Sequence, residues 1–449
     1  MAKFVESDRD QAYLLPPDLR DWIPSDDLVH FVLEAVERVS MSVFKVNERG
    51  TGSAQYHPRM MLALLVYCYA NGVFGSRRIE RATYRDLGVR YLTADRHPDH
   101  DTICAFRRRN VEAVGEAFVE VLLLARELKL LRVGTVSVDG TKVDANANKR
   151  NSVRYDRAVA LREQLRGEID GLLGEAERAD AAAAPDGQSL PEELSRREQL
   201  AAKLDKACAE LERRAKRRAA SERGAYERKV AARESREGSS KGRHIKPPDE
   251  KPGPAEQINL TDADSGLMRK SKRHEYRQAY NAQAVVDADG SQLVLGVRVS
   301  TNASDRRELV ADVDSVPREL GTAERVLADS GYATGDEVAA LEGRGMDVLV
   351  ATGAEGKRRR HDFRPESARR QREPKAAWLK AMRAKLAEEE NKARYRLRKH
   401  TVEPVFGIVK QAMGFRQFLV RGIDKVEGEW TLVMLAYNCR RVNNLMAAA

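Results

Sequence analysis

The stretch TVSVDGTKVDANA, residues 135–147, decides how the rest of the chain is read. Apolar and polar residues alternate along it as on a half-buried strand, and Asp139-Gly140 interrupts the alternation. An Asp-Gly pair between alternating runs is a strong hairpin signal. Two readings stand. In the one the local pattern favours, Asp139 is a turn residue. In the other, the strand continues through Thr141, Lys142 and Val143 and holds Asp139 up as a carboxylate for chemistry. The surrounding chain has to choose between them.

Working outward, 449 residues suffice for two or three domains with a sizeable core. The formal charge is +10, which favours a nucleic-acid partner, although solvated basic helices give the same balance. Cys68, Cys104, Cys208 and Cys439 are far apart and form no CxxC pair. That argues against a disulfide framework or zinc ribbon and fits a reducing compartment. The first residues hold no apolar signal core, and no run of about 18 apolar residues occurs, so a soluble, cytoplasmic protein without a membrane partner is expected.

Residues 1–130 read as helical. The segment 24–39 repeats apolar residues at helical spacing, with Ser25 a candidate cap. The segment 57–75 is nearly all apolar up to a capping Asn71-Gly72, as in a buried helix. Short helices follow, the last opening near Asp101 with Arg107, Arg108 and Arg109 close to its start. This suggests a helix-turn-helix-like DNA reader, with a helical dimerisation or packing domain as the plain alternative. His97, His100 and Cys104 lack a fourth ligand nearby and read as a turn before a helix rather than a metal site.

Composition changes sharply after the first strand, at 131–151. From 152 to 255 the chain is rich in Ala, Glu, Arg and Lys. Leu161, Leu165, Ile169 and Leu172 form one stripe, and Leu200, Leu204, Cys208 and Leu211 a second. An inserted α-helical hairpin or coiled coil is expected, followed by a Gly/Pro/Lys-rich linker. Alternation then returns over 256–449. Residues 279–302 read as two strands joined at Asp289-Gly290, 304–320 as a helix with Asp305 and Glu308 at capping-box spacing, and 324–332 as a strand ending on Asp329. A helix, a strand, a basic run at 357–373 and a final amphipathic helix carrying Trp430 complete a mixed α/β sheet.

Asp139 and Asp329 then stand at strands of one sheet, where α/β folds place reactive groups. Glu403 follows in HTVEPVFGIVK, with Pro404 either in a helix's first turn or at a kink. Either way Glu403, Phe406, Gly407 and Lys410 are expected on one helix face packed against the sheet. Three converging carboxylates repel one another unless divalent cations join them. Two Mg²⁺ ions, with Mn²⁺ as a possible substitute, would clamp an in-line phosphoryl displacement. Each acid alone has a structural alternative: a turn, a strand-end cap, a first-turn helix acid.

The motifs VSVDGTKVDANA, TDADSGLM, YNAQAVVD, VSTNASDRREL, VLADSGYAT and VEPVFGIVKQAMGFRQFLVRG resemble the DDE transposases of bacterial insertion sequences. The N-terminal LPPDLRDWIPSDDLVHFV and YHPRMMLALLVYCYANGVFGSRRIE resemble the helical domain those enzymes carry. The resemblance implies an RNase H-like catalytic domain and, motif by motif, a metal-binding triad of Asp139, Asp329 and Glu403. Many relatives show a Tyr-Arg-Glu-Lys signature with Arg four residues before Glu. Here that position is Lys399, with Tyr395 and Arg398 one residue further off, while the Glu403–Lys410 spacing is kept.

The leading expectation is therefore a DNA transposase that cuts transposon ends and joins them to target double-stranded DNA. It would work as a homodimer associated with a bacterial nucleoid. Lys410, Arg398, Tyr395, Lys399 and the basic run would hold phosphates. The alternatives are a catalytically silent DNA-binding descendant of such an enzyme and a metal-dependent nuclease.

Overall fold

The computed structural model describes residues 18–48, 54–181, 190–235, 245–269, 273–352 and 376–448. The basic run at 357–373 and the expected break at 184–187 lie outside them.

Among the described residues six α-helices come first: α1 (Leu28–Glu37), α2 (Pro58–Ala70), α3 (Ser76–Arg85), α4 (Leu87–Leu92), α5 (His100–Arg109) and α6 (Val111–Glu127). Asp27, not Ser25, caps α1, its side chain accepting from Val29 N–H at 2.8 Å. From Met61 to Ala70, α2 is buried on all sides, as its unbroken apolar run requires, and it ends at Asn71 with Gly72 at φ +75°. The long helix expected from Asp101 is two helices, because Asn110 ends α5 and opens α6. Arg107–Arg109 consequently close a helix instead of opening one.

This moves Arg107 away from any DNA-reading surface. Its side chain is 9% exposed and its Nη1 donates to Tyr69 Oη at 2.7 Å and to Glu429 Oε1 at 3.3 Å. Glu429 is also buried, which pushes its carboxyl up, with Arg107 opposing that shift. Arg108 and Arg109 are exposed. His97 Nδ1 meets Thr83 Oγ1 at 3.0 Å and its ring stacks on Tyr84, while His100 Nδ1 meets Glu80 at 2.9 Å. Both histidines thus join the α5 entry to α3.

Strand β1 (Thr135–Asp144) follows, then β2 (Ser152–Arg154), α7 (Tyr155–Ala181), α8 (Leu190–Glu234), β3 (Gln257–Asn259) and β4 (Gly266–Met268). The two leucine stripes meet: Leu165 packs with Leu204 and Cys208, flanked by Leu161, Ile169 and Leu200. A short ribbon, β2 paired antiparallel with β3, closes the base of this excursion; the sequence pattern gave no sign of it. Helix α7 packs on α8 and the pair is inserted between β1 and β5 (Arg277–Asp287).

The remaining elements are β6 (Val294–Ser300), α9 (Leu309–Val313), β7 (Arg325–Ala328), α10 (Gly335–Glu342), β8 (Asp347–Val350), α11 (Ala377–Ala387), α12 (Glu389–Arg396), α13 (Val402–Gly407) and α14 (Ile423–Ala448). The sheet runs β4-β5-β1-β7-β8, with β6 on β5. Strands β5 and β6 are antiparallel to their neighbours, whereas β7 is parallel to β1 and β8 to β7.

The helix expected over 304–320 shrinks to the five residues of α9, without the capping box. Glu308 instead accepts from Arg298, Ser300 and Asn302, and Asp305 from Asn281 and Gln283. The half-buried Arg298 and the buried amides of Asn281 and Gln283 outcompete a local cap, because leaving them unpaired costs more than the cap returns.

Helix α14 joins the helical region to the sheet. It packs on α2, α6 and β6, so that one continuous core spans both. Trp430 lies at its centre, fully buried, its Nε1 donating to Gln283 O at 2.9 Å. We expect Glu429→Ala to destabilise the fold by about 3–5 kcal/mol in denaturant unfolding, since it leaves the Arg107 charge buried and unpaired. Arg108→Ala with Arg109→Ala should stay within about 0.5 kcal/mol of wild type. Equal effects would show that Arg107 is not locked inside.

Candidate active site

The turn reading of Asp139-Gly140 fails. Strand β1 runs unbroken through both residues, held by β5 from Val136↔Asp287 to Asp144↔Ala279. Nine consecutive paired residues leave no room for a two-residue reversal. On its other edge β1 pairs with β7 only over Thr135–Val138. That edge regains a partner at Asp144, whose N–H donates to Arg416 O at 3.1 Å and whose carbonyl accepts from Phe418 N–H at 2.9 Å. Between Val138 and Asp144 the edge is open, and Asp139 stands at the start of the gap.

Asp329 directly follows β7, in line with Asp139 across the parallel pair. Its carboxylate caps the short turn Ser330–Tyr332, accepting from Gly331 N–H at 2.6 Å. Arg398 lies between the two acids: Nη1 donates to Asp139 Oδ2 at 3.0 Å and Nη2 is 4.0 Å from Asp329 Oδ2. Its side chain is 14% exposed and that of Asp139 19%. Burial pushes Asp139 up to about 6; Arg398 opposes this, while Asp329 and Asp305 add to it. One guanidinium therefore does not fully offset the desolvated negative charge.

Tyr395 Oη donates to Ala328 O at 3.1 Å, tying α12 to the end of β7 one turn before Arg398. Of the signature positions it is thus Arg398, not the exposed Lys399, that faces the acids. Lys410 Nζ donates to Thr141 Oγ1 at 2.6 Å and to Lys142 O at 2.7 Å, closing part of the open strand edge.

Glu403 occupies the first turn of α13 beside Pro404, so Pro404 begins a helix and does not kink one. The expected shared face does not form. Val402, Val405, Phe406 and Val409 are the buried stripe, leaving Glu403 and Gly407 exposed. A π-helical turn at Ile408–Ala412 then widens the helix and offsets Lys410. Among the described residues no group of three His, Cys, Asp or Glu side chains converges as a metal cage. The hard carboxylate oxygens of Asp139 and Asp329, with charge left to neutralise, suit a divalent cation at two of the three expected positions.

Sequence reasoning missed Asp305. It lies beneath the site, its Oδ1 accepting from Asn281 Nδ2 at 2.7 Å and Gln283 Nε2 at 3.0 Å, with Lys142 Nζ at 3.8 Å. It comes this close because Gly140 has no side chain: a Cβ there would be 2.7 Å from Asp305 Oδ1. The available signal was Asn281 and Gln283 themselves, two amides at alternate positions in the middle of a buried strand.

A mixed sheet presents two aspartates at adjacent parallel strands with Arg398 between them, and Lys410 sits further along the same strand edge. A family model described as a transposase DDE domain matches residues 251–439, and one described as a transposase domain matches residues 17–109. The pair is typical of bacterial insertion-sequence transposases, and the DDE domain indicates an enzyme of the polynucleotidyl transferase or nuclease type that acts on DNA. Such enzymes generally use divalent metal ions. No curated protein and no solved structure matches the chain. Asp329 and Glu403 fall within the DDE match; Asp139 falls outside both matched spans, separated by the α7–α8 excursion. Among the described residues no helix is long and apolar enough to cross a membrane.

Gly140→Ala should lower both stability, by about 1–3 kcal/mol, and DNA cleavage. Its Cβ would lie 2.6 Å from the Gln283 amide and 2.7 Å from Asp305, two groups fixed by hydrogen bonds. Unfolding and cleavage assays check this; wild-type behaviour in both would mean that the close approach is not maintained.

Proposed function

We propose that the chain cleaves DNA at transposon ends and transfers the freed 3′-OH to target DNA, using Asp139, Asp329 and Glu403. The observation that carries this is the pair Asp139 and Asp329, brought from opposite sides of a long insertion to one guanidinium. The order β6-β5-β1-β7-β8, with β7 and β8 parallel to β1, supports an RNase H-like catalytic domain formed by 131–151 and 256–449. Residues 1–130 form the helical domain for end binding, dimerisation or both, and 152–255 a helical insertion and linker. The active complex is a homodimer at the bacterial nucleoid, where its DNA substrate lies.

Asp139 and Asp329 would hold Mg²⁺, or Mn²⁺ in substitution, through hard oxygen ligands, and Glu403 would complete a two-ion site from the exposed side of α13. Such ions would supply Lewis-acid polarisation of a phosphate and a lowered pKa for an attacking hydroxyl. The chain itself sets the geometry. Strand pairing fixes Asp139 beside Asp329, and Tyr395 anchors the segment that delivers Arg398. Arg398 offsets negative charge at the acids and can turn to a phosphate oxygen, which its planar fork suits. Glu403 is exposed on α13, which packs against β1. Lys410, Lys399, Arg108 and Arg109 contribute phosphate contacts without base information.

Incubation with Mg²⁺ and duplexes carrying the element's ends tests the reading. Asp139→Asn, Asp329→Asn and Glu403→Gln should each abolish cleavage and joining while DNA binding is largely kept. Near-normal cleavage by any one variant would remove that residue from the triad.

A further inference from the structure

Past the open edge, where β1 ends, the chain walls a polar cavity of about 620 Å³ that the proposed chemistry does not use. Its rim carries Asn146, Lys149, Tyr276, Arg277, Gln417 and Arg421. Tyr276 is 48% exposed, and Arg269 lies over its ring at 4.7 Å from the centroid. Arg421 is exposed but oriented: Nε donates to Asn146 O at 2.9 Å and Nη2 to Asn146 Oδ1 at 3.4 Å. No carboxylate among the described residues pairs with it. Lys149 pairs with Glu275 at 3.2 Å and Arg277 with Asp144 at 3.1 Å. Both pairs are exposed, so each is worth about 0–1 kcal/mol and can exchange for a phosphate.

An exposed aromatic ring beside a positioned, uncompensated guanidinium matches one nucleotide: the ring stacks on the base and the fork takes the phosphate. The position fits the same substrate. Asp144, which lines the cavity, is five residues along β1 from Asp139. At about 3.3 Å per residue that is roughly 17 Å, or about five steps of a B-form strand. We infer that this cavity binds a nucleotide of the DNA strand being cut, within about five positions of the scissile phosphate, with Tyr276 on the base and Arg421 on the phosphate. The inference rests on the proposed cleavage site for its position, but not on the metal.

Binding of the full chain to an element-end duplex in EDTA separates the two. 2-Aminopurine is placed in turn at positions on both sides of the cleavage point. One position should change fluorescence on binding, and Tyr276→Ala should abolish that change and weaken binding about fivefold or more. Tyr276→Phe keeps the ring and should restore both. Arg421→Ala should lower the log–log salt slope by about one. If the wild-type chain binds the duplex while every position stays silent, or if Tyr276→Ala behaves as wild type, the subsite is overturned and the cleavage reading stands. Loss of cleavage alone in the acid variants, with the fluorescence change intact, supports the subsite independently of the metal reading.

Discussion

The unequal pairing of β1 is the constraint from which the rest follows. One edge is bonded to β5 along nearly its whole length, which forces Asp139-Gly140 to stay extended. The other is bonded to β7 for four residues and then released. A central strand with an unfilled edge is unusual, because bare backbone groups inside a fold are costly. Here local groups answer them: Asp139 Oδ1 accepts from Gly140 N–H at 2.8 Å, and the Lys410 ammonium caps Lys142 O. The opening can therefore persist in the folded chain as a place for substrate.

Electrostatics concentrates at that opening. Asp139, Asp329 and Asp305 lie close enough for each of the other two to raise the proton affinity of Asp139. Arg398 and Lys142 are the cations set among them, and burial lowers the Lys142 pKa. Buried charges are stable only when paired, so this local surplus of carboxylate is tolerated in a region designed for further positive charge or a displaced counterion. Such perturbed groups cluster at functional sites, and here the geometry and the transposase DDE domain agree with the electrostatics.

The helical region is more than an appendage. Its buried helix α2 and the closing helix α14 share one core with the sheet, and the Tyr69–Arg107–Glu429 group crosses between them. Helix α14 is in turn bonded to the strand that flanks β1, through Trp430 Nε1 and Gln283 O. The α7–α8 excursion behaves differently: its own small cores are separate from the main one, and a two-stranded ribbon ties down its base.

Local pattern by itself determined the buried helix α2, the two stripes of the insertion, the hairpin at Asp289-Gly290 and the placement of Asp329 directly after a strand. These are set by periodicity and turn chemistry over neighbouring residues. Tertiary structure alone decided three things. It settled Asp139, because the strongest short hairpin signal yields when a partner strand pairs along both sides of it. It turned Arg107 inward and Glu403 outward, because the burial of Tyr69 and of the Val402, Val405 and Val409 stripe fixes helix rotation, which charge does not. It also placed Asp305 beside Lys142 and chose Arg398 over Lys399 as the partner of Asp139, since these pairs, more than a hundred residues apart in sequence, meet only once the sheet has formed.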